Sequence, residues 1–177
     1  MEVMLLRHGE PDYAHVADLV PKYRGHRYDL IHLSRKGEAQ INAAVAEARA
    51  FDADVIVSSP YPRCLQSAAI LSRALDLDLH VHPDLHEWLP VGDGTAPVSA
   101  EIVAAAEEAY WRNRTAPSPL IGTSWESDAD IVARIGPVLD EYSGRCQRVL
   151  VVTHEVVIRA MTGRLHTAFG EDARLAW

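Results

Sequence analysis

The sequence has few cysteines and no long apolar run, and these two features exclude several classes of protein. Cys64 and Cys146 are its two cysteines, and their separation matches no metal-binding or redox motif. Two reduced thiols are typical of a reducing compartment, so we expect a cytoplasmic location. No stretch approaches the roughly 20 apolar residues of a transmembrane helix, and no signal peptide precedes the first strand, so we expect no membrane association.

Positive charge is also scarce. The chain has 17 basic and 25 acidic residues, a formal net charge of −8 at pH 7, and only Lys22 and Lys36 among the basic residues are lysine. This balance disfavours nucleic acid as a partner, because nucleic-acid-binding surfaces need a net positive charge. An acidic chain that binds an anion must gather its few cations in one place, so any cluster of arginine is informative.

Internal repeats and low-complexity segments are absent as well, and the pattern that remains alternates strand and helix signals. With 48% hydrophobic residues, 177 residues are enough for one domain with its own core. The alternation predicts a three-layer α/β sandwich with a mostly parallel central sheet. Strands are predicted at 3–6, 55–57, 79–82 and 149–152, and helices at 34–51, 62–75, 128–142 and 156–162.

Residues 91–124 interrupt this alternation. Glycine and proline are frequent there and surround a single predicted helix at about 99–112. The segment is too short for a core of its own, so we expect one domain over residues 1–177 with a small helical lid inserted at 91–124.

Polar and basic residues follow three of the predicted strands. Arg7 and His8 end the first, the segment 58–60 ends the second and leads to Arg63 in the next helix, and His154 ends the last. Ligands of open α/β sheets bind at the carboxyl ends of the strands, so these side chains are expected to converge. Arginine suits phosphate and histidine can act as a nucleophile, so the pattern indicates phosphoryl chemistry at an anion pocket.

Two other chemistries have weaker support in the sequence. Ser58 and Ser59 could suggest a hydroxyl nucleophile, but no Gly-x-Ser-x-Gly elbow surrounds them, so strand termination and capping are their expected roles. His80, His82 and His86 invite a zinc interpretation, but no cysteine accompanies them, and we expect no metal and no cofactor.

The motifs taken together resemble those of the histidine phosphatase superfamily, which includes cofactor-dependent phosphoglycerate mutases and broad-specificity phosphatases. The resemblance spans nearly the whole chain, with the motifs in the order of that family. They are LLRHGE at 5–10, LSRKGEAQ at 33–40, SSPYPRCLQSA at 58–68, LHE at 85–87 and VVTH at 151–154.

This resemblance implies a metal-independent phosphatase that forms a phosphohistidine and acts on a small phosphorylated metabolite. His8 would accept the phosphoryl group, while Arg7, Arg63 and His154 hold its oxygens. Glu87 would protonate the leaving oxygen and then activate water.

Some positions depart from the family pattern, Trp125 in place of a glycine among them. Ala14 stands where an asparagine is common, and Glu155 stands where glycine usually follows the closing histidine. A phosphoglycerate-type mutase is an alternative, although only Arg112 and Arg114 could bind a second anionic group in the insertion. A binding or regulatory protein that has lost turnover is another alternative. The sequence leaves the oligomeric state and the physiological substrate open.

Overall fold

The computed structural model describes residues 1–15, 29–89, 105, 108–109, 112, 126–164 and 173–176. Short 3-10 turns lie at Tyr13–His15 and Pro83–Leu85. The strands are β1 (Glu2–Arg7), β2 (Val55–Ser58), β3 (Leu79–Val81), β4 (Arg148–Thr153) and β5 (Ala173–Ala176). The helices are α1 (Arg35–Phe51), α2 (Pro62–Leu75), α3 (Asp128–Asp140) and α4 (Glu155–Arg164).

The strands form one five-stranded sheet in the order β3-β2-β4-β1-β5. β1 and β2 both pair in parallel with β4, β3 pairs in parallel with β2, and β5 runs antiparallel to β1. The predicted mostly parallel sheet is therefore confirmed, whereas β5 is an additional strand that the sequence pattern did not predict. The four parallel strands end at the same edge of the sheet.

Helices cover both faces of this sheet. Along β1, Val3 and Leu5 pack into a core with α3 and α4, whereas Met4 points to the other face and packs with α1 and α2. The same alternation runs along β4, where Val149 and Leu150 face opposite cores. Side chains on a strand alternate between faces, so a strand that is apolar throughout must be covered on both sides. The predicted three-layer sandwich is confirmed.

The helices begin and end close to their predicted positions. Ser34 caps α1 by accepting a hydrogen bond from the amide of Gly37, and α2 has the predicted bounds. α1 and α2 are each followed by an aspartate in the left-handed conformation, Asp52 and Asp76, which caps the helix. α3 ends at Asp140, two residues before its predicted end. The predicted lid at 91–124 lies almost entirely outside the described residues, and within the described parts no helix is long and apolar enough to span a membrane.

Two glycines let the loop after β1 touch the start of α1. A Cβ atom on Gly9 would lie 2.3 Å from the carbonyl oxygen of Gly37, and a Cβ on Gly37 would lie 2.3 Å from the carbonyl oxygen of Glu10. No Cβ atom fits at such distances, so each position requires glycine for close backbone packing. The contact sets how the residues next to His8 lie against the helix.

Polar side chains complete this junction. The amide of Glu10 donates to Oε1 of Gln40 (2.8 Å), and the amide of Ser34 donates to the carbonyl of Glu10 (2.9 Å). From the other side, the amide of Gly9 donates to Oγ of Ser67 on α2 (3.2 Å). The motif at 33–40 therefore has a structural purpose, because its serine, glycine and glutamine all contact residues 9 and 10.

A Gly37→Ala substitution should both destabilise the protein and lower its kcat. The added methyl group overlaps backbone that has little room to move, which typically costs about 1–3 kcal/mol. Because that backbone follows His8, kcat should fall as well. Ala43→Gly, at an exposed site on the same helix, is the matched control, since it costs about 1 kcal/mol of helix propensity. Urea unfolding and steady-state kinetics should show similar stability losses but a lower kcat only for Gly37→Ala; full activity in Gly37→Ala would contradict this account.

Candidate active site

The parallel register brings two histidines together beyond the strand ends. Arg7 of β1 lies beside Thr153 of β4, so His8 and His154 are the next residues of neighbouring strands. The amide of His8 donates to the carbonyl of Thr153 (3.1 Å), which continues the ladder past the last pair. The two imidazole rings meet edge to face, with their centroids 5.2 Å apart.

Arg63 joins the two rings. It lies in the first turn of α2 after Pro62, and only 7% of it is exposed. Its Nε donates to Nε2 of His8 (3.1 Å), and its Nη2 donates to Nδ1 of His154 (3.2 Å). Among the described residues no side chain caps this end of α2, so the positive end of the helix dipole also faces the pocket. The cluster therefore favours an anion.

His8 presents a neutral nitrogen to Arg63. Its Nδ1 lies 2.7 Å from the carbonyl oxygen of Gly9, which can only accept, so Nδ1 carries the proton and Nε2 has the free electron pair. Burial, together with the charges of Arg63 and Arg7, lowers the pKa of His8 to about 4 against the opposing effect of the Gly9 hydrogen bond. The imidazole is thus an available nucleophile at neutral pH.

His154 is fully buried and also neutral. Burial, followed by the nearby charge of Arg63, lowers its pKa well below the usual value. A guanidinium only donates, so Nδ1 of His154 accepts, and Nε2 carries the proton toward Oγ of Ser59 (2.8 Å). The Ser59 hydroxyl can also donate, so it is compatible with the other tautomer. Sγ of Cys64 lies 3.4 Å from Nε2, and burial raises the pKa of that thiol to about 12.

Glu87 borders the same pocket. Its Oε2 lies 3.8 Å from Nδ1 of His154, and its Oε1 accepts from the amide of Trp88 (2.9 Å). Burial raises the pKa of Glu87 to about 7, although the Trp88 hydrogen bond and the charges of Arg63 and two other arginines lower it. A carboxyl with that pKa exchanges its proton readily near neutral pH. A quarter of the side chain is exposed, so solvent reaches it.

Arg7, another predicted site residue, lies at the rim of the cluster, close enough for its charge to lower the pKa values of His8 and Glu87. Its guanidinium is 55% exposed and forms an ion pair with Glu155 (2.5 Å between Nη1 and Oε2). Glu155 also pairs with Arg159 one helical turn later (2.5 Å). Glu155 therefore occupies the guanidinium of Arg7 at the rim, and the expected contact of Arg7 with phosphoryl oxygens stays a prediction.

Ser59 and Tyr61 are site residues whose contacts the sequence did not reveal. Ser59 was expected to act only in capping, but it supports His154, and the Tyr61 ring packs against His154 (5.0 Å between centroids) and beneath the guanidinium of Arg63 (4.9 Å). The spacing of both from Arg63 in the SSPYPR segment was the available signal. The alternative zinc site has no support in the described part of the chain, where no group of three potential ligands could hold a metal.

Comparison with known proteins agrees with this geometry. The family model described as "Histidine phosphatase superfamily (branch 1)" matches residues 3–175. The adenosylcobalamin/alpha-ribazole phosphatase of Salmonella typhimurium is 28% identical over 173 residues, covering 94% of this chain and 80% of that protein. An uncharacterized protein of Mycobacterium tuberculosis is 31% identical over 132 residues, covering 72% of this chain and 62% of its own length.

A solved structure extends the likeness to three dimensions. The complex of a mycobacterial glucosyl-3-phosphoglycerate phosphatase with inorganic phosphate has a TM-score of 0.67 and 26% identity, covering 93% of this chain and 78% of that one. These named relatives are phosphatases, and this chain is an enzyme of the same type. By its motifs, fold and family match, the chain belongs to branch 1 of the histidine phosphatase superfamily.

Proposed function

We propose that this protein is a metal-independent phosphomonoester hydrolase that acts on a small phosphorylated metabolite of the cytoplasm through a phosphohistidine at His8. The observation that carries the proposal is the bridge from Arg63 to both imidazoles, which combines a neutral nucleophile with a buried, fixed cation. Phosphoryl transfer needs positioning and charge stabilisation above all, and a guanidinium supplies both. The named phosphatases of alpha-ribazole and glucosyl-3-phosphoglycerate support a small substrate.

In the first step, Nε2 of His8 attacks phosphorus as the bond from phosphorus to the ester oxygen breaks. The leaving oxygen takes the proton of the Glu87 carboxyl, which a pKa near 7 keeps partly protonated at neutral pH. As Nε2 uses its electron pair, Arg63 transfers its hydrogen bonds from the imidazoles to the phosphoryl oxygens, where the charge develops.

In the second step, water attacks the phosphohistidine. The Glu87 carboxylate takes a proton from the water, the P–N bond breaks, and its electron pair returns to Nε2, so that inorganic phosphate leaves and the starting state is restored. His154 stays neutral throughout. When the Ser59 hydroxyl donates to Nε2 of His154, the ring carries its proton on Nδ1, and this N–H can donate a hydrogen bond to a phosphoryl oxygen.

The nucleophile assignment predicts a trapped intermediate. After brief exposure to labelled substrate with EDTA present and an alkaline quench, the wild-type protein should retain label, because phosphohistidine survives base. His8→Ala should retain none and release no phosphate from a panel of monoesters. His80→Asn, outside the pocket and bonded to Tyr142, is the control and should behave as wild type.

The same assay separates the alternatives. A mutase would return the label to another position of the organic substrate, and a protein that only binds phosphate compounds would release none. Turnover by His8→Ala would refute a phosphohistidine at this position.

The assignment of Glu87 predicts a particular pH profile. For a substrate with a poor leaving group, kcat/KM should fall as pH rises through about 7, where Glu87 loses its proton, and as pH falls through about 4, where His8 gains one. Glu87→Gln should abolish the fall near 7 and lower kcat/KM by roughly 10²- to 10⁴-fold. For p-nitrophenyl phosphate, whose leaving group barely needs a proton, kcat/KM should fall much less. Dividing the wild-type profile by the Glu87→Gln profile on the same substrate removes that substrate's own ionisation near about 6. An equal loss on both substrates would count against proton donation by Glu87.

The ion pair between Glu155 and Arg7 predicts that removal of the carboxylate changes the affinity for phosphate. Its carboxylate competes with phosphate for Arg7 and repels an anion at the pocket rim, so Glu155→Gln should tighten binding of inorganic phosphate by roughly 3- to 10-fold, more at low salt. The inhibition constant of phosphate provides the measurement. Asp78→Asn removes an exposed carboxylate before β3, at the opposite end of the sheet, and should change nothing. An unaltered inhibition constant in Glu155→Gln would mean that Arg7 takes no part in holding phosphate.

A further inference from the structure

A buried ion pair lies beneath the segment that carries Glu87. Arg134, on α3, donates to both carboxylate oxygens of Glu126, with 3.0 Å between its Nη2 and Oε2 and a second contact from its Nε. The two side chains are only 13% and 10% exposed. Neither residue belongs to the phosphate cluster, and the mechanism above gives them no role.

Arg134 also binds the backbone on the amino-terminal side of Glu87. Its Nη1 donates to the carbonyl of Asp84, and its Nη2 donates to the carbonyl of His86 (3.0 Å). Because the planar guanidinium faces both carbonyls and the Glu126 carboxylate at once, these groups are held in one fixed arrangement.

Glu126 holds the carboxyl-terminal side. Its Oε2 accepts from the amide of Leu89 (3.3 Å), and its carbonyl accepts from Nε1 of Trp88 (2.7 Å). The amide of Glu126 in turn donates to the carbonyl of Leu89 (3.0 Å). Glu87 therefore lies between residues anchored on both sides by one ion pair.

We propose that Arg134 and Glu126 are positioning residues that hold the Glu87 carboxyl at the reaction centre. The inference rests on the proposed role of Glu87 as acid and base. Stability alone does not account for the pair, since buried ion pairs contribute little beyond well-packed apolar side chains of the same volume. What this pair supplies is a defined position for one carboxyl group, and proton transfer is sensitive to shifts of about 1 Å.

Charge contributes as well as position. The titratable and charged groups that face Glu87 are Arg63, His154, Tyr61 and Cys64 in the pocket, Arg7 at its rim and Arg134 beneath it. Arg134 is one of the three arginines that lower the pKa of Glu87 against the effect of burial. Loss of its charge should therefore raise that pKa and move the alkaline fall of kcat/KM to higher pH.

The test compares Arg134→Lys and Arg134→Met with wild type on a phosphate ester with a poor leaving group and on p-nitrophenyl phosphate. Both variants lose the planar guanidinium that contacts several acceptors at once, and only Arg134→Met also loses the positive charge. We expect kcat/KM for the poor leaving group to fall on the order of 10- to 100-fold, with a much smaller loss for p-nitrophenyl phosphate. The alkaline fall of kcat/KM should move to higher pH in Arg134→Met alone.

Three further measurements separate positioning from general damage. The inhibition constant of inorganic phosphate should stay at its wild-type value, because Arg63 and the histidines are untouched, and this readout also establishes that the variants are folded. Combining Arg134→Lys with Glu87→Gln should add no further loss, since both changes act through one carboxyl. Arg148→Met removes another ion-paired arginine, far from the pocket at the start of β4, and should keep the wild-type ratio between the two substrates.

The outcomes distinguish this inference from the proposed function. If Glu87→Gln shows leaving-group dependence while Arg134→Lys shows none, or if the two changes add fully, Arg134 does not position Glu87 and the proposed function stands. If Glu87→Gln itself lacks leaving-group dependence, the proposed role of Glu87 fails, and this inference with it.

Discussion

The contact of one guanidinium with two imidazoles organises the rest of the site. Arg63 can only donate, so its two hydrogen bonds require an electron pair on His8 and another on His154. Burial works in the same direction, because a low-polarity surrounding disfavours a charged ring and lowers the pKa of both histidines. The pocket thus concentrates its permanent positive charge on arginine and leaves the histidines neutral, which suits a nucleophile that must meet an anion.

This arrangement depends on how the backbone is built around it. The parallel register of β1 against β4 sets the spacing of the two histidines, and the first turn of α2 supplies Arg63 from a third direction. The paired glycines then bring the loop after β1 directly onto α1. Each element contributes through backbone geometry, which varies little once the sheet has formed, so the precision of the site derives from the scaffold.

The sequence predicted what depends on local pattern and on motif. The bounds of α2 followed from the helical spacing of its apolar residues, and the meeting of His8 with Arg63 and His154 followed from strand ends in a parallel sheet. The sequence did not predict β5, because residues 173–176 show no clear strand pattern.

Contacts between residues distant in the chain also could not be predicted from the sequence. Arg134 reaches carbonyl groups about 50 residues away in the chain, and carbonyls carry no side-chain signal. The ion pair of Arg7 with Glu155 depends on how β1 and α4 lie in space, so the motif at 5–10 could not predict it.

Ser67 links the loop that follows His8 to α2, the helix that carries Arg63, and this link restricts how the two can separate. Its Oγ accepts from the amide of Gly9 and its hydroxyl donates to the carbonyl of Arg63 (2.7 Å), so one short relay joins the two backbones. The amide proton of Gly9 can therefore exchange with solvent deuterium only when this contact between the loop and α2 opens. Exchange at this amide should be as slow as in the core strands, and the two halves of the phosphate pocket should open as one cooperative unit.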